Sequence, residues 1–228
     1  MSYIKKLSLA AAAVVALAIQ TGNAITVTVS SNALTKGFMN VVDLGGNFQF
    51  GSSWGIPDLR ANFSNGGSTV TLLPNNIGDP NPYWYIGGGA LGNPGNKKME
   101  ANLYNDALSD TLLDQTLTFS GVVDSYTLTS DYVVKAFIKD FAADYSSFNV
   151  VDQVLNATTG TFTLNYNVGS AIGRHVQFGF QTYGPNAWGT DADTKGSAVI
   201  SAIPEPSSAA LMGLGVAGLL AFRMRRKV

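Results

Sequence analysis

The chain has 228 residues, no cysteine, one histidine and a formal net charge of −1, from 14 basic and 15 acidic side chains. The missing thiols exclude a disulfide frame, a thiolate metal site and a cysteine nucleophile. The near-neutral total hides an uneven distribution: basic residues gather at the two ends, and the middle lacks the clustered Lys and Arg that nucleic-acid binding requires.

Lys5 and Lys6 precede an apolar run from Leu7 to Ile19. Gly22-Asn23-Ala24 then sets small residues three and one before a cut between Ala24 and Ile25. A basic start, a short apolar core and a small-x-small site make residues 1–24 a cleavable secretory signal peptide, handled by export and signal-peptidase machinery. An uncleaved N-terminal anchor is the alternative, disfavoured by the short apolar run.

Residues 25–202 form one domain, long enough to bury a substantial core. Once Lys5, Lys6, Arg223, Arg225, Arg226, Lys227 and Glu205 are set aside, eight basic residues face fourteen acidic ones, a net charge near −6. Phe162, Leu164, Tyr166 and Val168 alternate with Thr161, Thr163, Asn165 and Asn167, the period of a half-buried antiparallel strand; Val176, Phe178 and Phe180 alternate likewise with Gln177, Gly179 and Gln181. Further strands are expected at 25–30, 69–73, 83–86, 116–122, 132–138, 150–155 and 198–201, separated by turn clusters such as Asn65-Gly66-Gly67 and Thr158-Thr159-Gly160. Residues 96–110 suit one helical turn or an extended strand equally. No repeat of 20 to 50 residues argues for a solenoid or propeller. The expected fold is all-β, an antiparallel β-sandwich or jelly roll, flanked by an N-terminal signal helix and a C-terminal transmembrane helix.

Three tryptophans sit in loop-like contexts: Trp54 beside Gly55, Trp84 next to Tyr85 after Pro82, and Trp188 before Gly189. An exposed ring there is a platform for the C–H face of a pyranose, so Trp54, Trp84, Tyr85 and Trp188 are the ligand-binding candidates. The bland reading makes each a plug beneath its loop. Asp191 with Asp193, or Asp140 with Asp144, supplies the hard oxygens a structural Ca²⁺ would take, but neither fits the twelve-residue EF-hand loop, and solvated loops are the preferred reading. No other metal or cofactor is expected. Catalysis has little support. His175 is the only histidine, Glu100 the only glutamate of the domain, and neither a Gly-x-Ser-x-Gly elbow nor a His-Glu-x-x-His pair occurs.

The last residues are ordered most tellingly. Pro204-Glu205-Pro206 is followed by an uncharged run, 207–222, and then by Arg223, Arg225, Arg226 and Lys227. As a helix that run would reach about 24 Å, slightly short of the roughly 20 residues of a stable span, and the basic end would stay cytoplasmic. Everything before Pro204 would then lie outside the cytoplasm. This order closely resembles the PEP-CTERM sorting signal of Gram-negative bacteria, a segment also called the ice-binding protein C-terminal domain. The resemblance implies recognition by the membrane protease exosortase, removal of the tail near Pro204 to Pro206 after transient membrane anchoring, and delivery to the cell surface or extracellular matrix. Residues 203–228 are accordingly assigned to the sorting signal; a plain C-terminal anchor is the alternative. Ice binding itself is not expected, because the Thr-x-Thr pairs are too unevenly spaced for a regular array.

A second resemblance covers residues 117–201. Ala136 to Phe141, Tyr145 to Phe148, Gln177 to Phe180 and Gly184 to Trp188 look like the extracellular β-sandwich that often precedes this signal, which is similar to carbohydrate-binding jelly rolls of the galactose-binding-like kind. It implies a non-catalytic module of exopolysaccharide or biofilm with carbohydrate as partner. The competing expectation is a structural or adhesive membrane-anchored protein without glycan specificity.

Overall fold

A computed structural model describes residues 24–106 and 111–203. Residues 1–23 of the signal peptide, Pro204, Glu205 and Pro206, the 207–222 span and the basic end lie outside the described residues. The strands are β1 (Ala24–Thr28), β2 (Lys36–Asp43), β3 (Phe48–Ser53), β4 (Ala61–Ser64), β5 (Thr69–Leu72) and β6 (Lys97–Asn105). They continue as β7 (Thr116–Tyr126), β8 (Val133–Phe141), β9 (Phe148–Leu155), β10 (Thr161–Asn167), β11 (His175–Pro185) and β12 (Ala198–Ser201), with one short helix, α1 (Asp191–Thr194), before the last strand.

These strands make two sheets of six. Sheet I runs β1-β7-β12-β5-β4, with β10 also paired to β7; sheet II runs β3-β2-β6-β11-β8-β9. The all-β expectation holds, with one correction to its antiparallel character: β1 lies parallel to β7, from Ala24 opposite Thr116 to Thr28 opposite Ser120. Parallel neighbours need a long crossover, and the chain between β1 and β7 provides it by passing through sheet II. The cut expected ahead of Ile25 would remove only the first residue of β1.

Alternation makes the core. Leu117 and Phe119 of β7, Phe162 and Leu164 of β10, and Val176, Phe178 and Phe180 of β11 are all buried and face one another between the sheets. Phe119 touches Phe162, Phe178 and Phe180 with ring centroids 5.6, 5.5 and 5.3 Å apart, tilted or edge-on as aromatic quadrupoles prefer. β12 occupies the middle of sheet I, antiparallel to both β5 and β7, with Ala198 and Ile200 fully buried. Among the described residues one carboxylate enters the core. Asp140 of β8, 2% exposed, accepts from Arg174 Nε at 2.7 Å and from the Tyr166 hydroxyl at 2.8 Å, which ties the two sheets at one end.

Several boundaries differ from the sequence expectation. The strand expected at 83–86 is a turn with a single bridge, Tyr85 to Gly95. Pro80 and Pro82 lack amide donors, and Gly87, Gly88 and Gly92 take positive φ, so this stretch cannot sustain a ladder. Residues 96–110 resolve as strand β6 over their first part. β2, β3 and β4 had no counterpart in the expectation.

Candidate functional site

The outer face of sheet II collects the polar and aromatic side chains left over once the core is filled. In β6 the core takes Met99, Ala101 and Leu103, so Lys98, Glu100, Asn102 and Tyr104 project to the opposite side. By the same alternation β2 presents Phe38 and Asn40, β11 presents Gln177 and Gln181, and β8 presents Lys135, Phe137, Lys139 and Phe141. Register lines them up in rows: Phe38, Asn102, Gln181 and Lys135 cross the sheet together, as do Tyr104, Gly179 and Phe137.

Asn102 is the hub of this face. Its Oδ1 accepts from Lys139 Nζ and Gln181 Nε2, each at 3.2 Å, and its Nδ2 donates to the carbonyl (3.1 Å) and Oε1 (3.2 Å) of Glu100. Asn40 Nδ2 donates to the same Oε1 at 3.0 Å, so one network joins β2, β6, β11 and β8. Such a network fixes rotamers that would otherwise be free. The middle of the second row is Gly179. Any Cβ there would lie 2.0 Å from the Leu103 carbonyl oxygen, so no side chain can stand between Tyr104 and Phe137. Lys139 Nζ rests 4.4 Å from the centre of the Phe137 ring, and burial holds its ammonium below the usual lysine range.

The β8–β9 hairpin closes one end. Tyr145 adopts φ +58°, uncommon for a bulky residue, and lies flat on His175 with centroids 4.3 Å apart and planes 13° from parallel. Its ring also neighbours Phe141, with centroids 5.5 Å apart, and Phe141 in turn meets Phe148 at 5.0 Å. Between this aromatic end and Ser53 on β3 runs a trough of about 460 Å³, bordered by Phe38, Asn40, Tyr104, Lys139 and Gln177.

The residues expected to bind ligand lie elsewhere. Tyr85 is corrected outright: it is fully buried, and its hydroxyl donates to Ile77 O at 2.6 Å and accepts from Ile77 N at 3.0 Å, so it pins the 73–96 loop and presents no face. Trp54, Trp84 and Trp188 are half-buried. Trp54 donates to Ser52 Oγ at 3.0 Å and borders an open hollow with Asp58 and Arg60. Trp84 is wedged edge-on against Phe50 and Tyr83, and Trp188 edge-on against Tyr85. The structure does not bring the three indoles onto one surface hollow: Trp54 and Trp188 border separate ones. Asp191 accepts from Gly92 N at 2.6 Å while Asp193 pairs with Arg60, so these two carboxylates serve different partners. Asp140 is engaged in the core, and Asp144 accepts from Ser146 within its own turn. Among the described residues no group of three or more His, Cys, Asp or Glu could hold a metal ion.

Ala202 follows β12 directly, and its amide donates to Ser68 O at 2.9 Å. From that residue the sequence matches a known family profile, the PEP-CTERM protein-sorting motif, over residues 202–227. The chain carries a PEP-CTERM sorting signal. That stretch includes Pro204, Glu205, Pro206 and the basic residues Arg223, Arg225, Arg226 and Lys227. The PEP-CTERM match supports an exosortase-sorted surface protein, and points to export and membrane anchoring through the C-terminal tail in a Gram-negative bacterium. Among the described residues no helix is long and apolar enough to cross a membrane. A search of curated proteins found no match to the chain.

Proposed function

We propose that the chain is an exported, non-catalytic surface or matrix module that binds extracellular polysaccharide on the outer face of sheet II, with its PEP-CTERM tail serving as the address for exosortase. The observation that carries this reading is the trough, in which a pre-organised polar network and flat aromatic rings share one surface. Polysaccharide recognition needs both, because hydroxyls ask for directional partners while the C–H faces of pyranoses ask for rings. From β2 to β8 is three strand spacings, about 14 Å, which accommodates a short run of sugar rings. The carboxylates of the face are engaged, Glu100 by Asn40 and Asn102, Asp152 by Lys135 and Asp106 by Lys36, an arrangement that supports binding rather than hydrolysis.

Affinity electrophoresis of the full chain through gels cast with soluble polysaccharides tests it directly. Retardation should occur with at least one polymer and should disappear in Asn102→Ala, since that change releases Lys139 and Gln181 together. No retardation by any polymer, or unchanged retardation in the variant, counts against the face. New reducing ends after incubation would contradict the non-catalytic part. A second reading has its own support: β9 is the edge of sheet II and leaves Phe148, Val150 and Val154 exposed, which suits an adhesive matrix protein without glycan specificity.

A further inference from the structure

Resting on the polysaccharide reading, we propose that the trough selects an acidic sugar, a uronate whose carboxylate is held by the ammonium group of Lys139. The distribution of charge is the starting point. Between the two ends of the chain only eight residues are basic, and four of them, Lys36, Lys98, Lys135 and Lys139, stand on the outer face of sheet II. Three are already occupied or stand apart. Lys36 pairs with Asp106, Lys135 pairs with Asp152 at 2.8 Å, and Lys98 lies toward Tyr183.

Lys139 differs from these. Among the described residues no carboxylate lies within ion-pair distance of it, and its one hydrogen bond goes to the neutral Asn102 Oδ1. An ammonium has three donors. One is used, the side chain is propped on the Phe137 ring, and the remaining donors border the trough. A half-buried cation with unused donors favours an anionic partner over a neutral hydroxyl, because an anion adds ion-pair attraction to the hydrogen bond and that attraction is less screened in a sheltered site. Glu100 does not fill that role: it stands on the other side of Asn102, to which it is hydrogen-bonded. Around Lys139 the Tyr104 hydroxyl and the Gln177 amide make no hydrogen bond among the described residues and are placed to take ring hydroxyls, while the Phe38 and Phe141 rings border the same trough with apolar surface.

The test compares polygalacturonate with its methyl ester, which keeps the ring and removes the charge, and with dextran, using the full chain in mild detergent. Polygalacturonate should bind roughly tenfold tighter than the ester, and high salt should erase the difference. Lys139→Met and Lys139→Gln should bind acid and ester alike without losing thermal stability, because each removes a charge that burial already disfavours; Lys195→Met should behave as wild type. Equal binding of acid and ester by the wild-type chain, or a preference that survives in both Lys139 variants, overturns the proposal while leaving polysaccharide binding intact. Binding of none of the three polymers overturns the uronate proposal, and the electrophoresis panel then decides the broader reading separately.

Discussion

Asp140 points into the core from β8 and is tolerated there because both of its oxygens are met, one by Arg174 and one by the Tyr166 hydroxyl. Removing one partner of such a pair leaves the other unsatisfied in a dry environment. Arg174→Ala, which strands the Asp140 carboxylate in the core without its cation, should therefore lower the unfolding free energy by about 3–5 kcal/mol, read as a shift in the urea midpoint at unchanged slope. Tyr132 makes a different kind of statement. It is 4% exposed, and burial, reinforced by neighbouring Asp131, pushes its phenol up to about 12. The folded state thus keeps a proton that the unfolded chain releases near pH 10. Its stabilising contribution is complete below pH 10 and is lost as the pH rises toward 12. Burial moves Tyr126 and Tyr166 the same way, so alkaline unfolding should be steep in this window and shallower in Tyr132→Phe. Denaturation curves at a series of alkaline pH values would show it.

The strands differ in how openly their sequences declare them. β12 was legible to the residue, and β10 nearly so, because strict alternation of Phe162, Leu164 and Tyr166 with Thr and Asn admits one reading. β2 was not, since Phe38 and Val42 on the outer face are as apolar as Met39 and Val41 on the inner one, and the period of two vanishes. β3 ends in Gly51-Ser52-Ser53, the vocabulary of a turn, and β6 mixes Lys, Glu, Ala and Leu, which suit a helix equally. The candidate face was illegible for the same reason at larger separation. Asn40, Asn102, Lys139 and Gln181 look like ordinary polar residues until register sets them side by side, whereas three tryptophans attract notice simply because they are rare. Packing gives this level its prediction: Phe119 joins both sheets, and Phe119→Ala should cost about 3–5 kcal/mol. The unpaired edge gives another. Val150→Lys on β9 should reduce self-association in light scattering, and an unchanged particle size would remove the support for an adhesive edge.

For the molecule as a whole, the candidate binding face and the sorting signal belong to opposite sheets. The trough opens on sheet II, while the PEP-CTERM segment begins one residue past β12 of sheet I. The proposed removal of the tail predicts that mass spectrometry of released protein finds peptides up to Ile203 and none from Ala209 onward; an intact tail on the mature surface form would favour the plain anchor. The position of β12 matters as long as the tail is attached. A load applied by matrix on sheet II and resisted at the membrane must cross the aromatic core and leave through this strand. Because β12 is laddered to β5 on one side and β7 on the other, a pull along it shears two sets of hydrogen bonds at once, where an edge strand would peel one bond at a time. The tether is therefore attached to a strand held on both sides, which resists a pull along it better than an edge strand would.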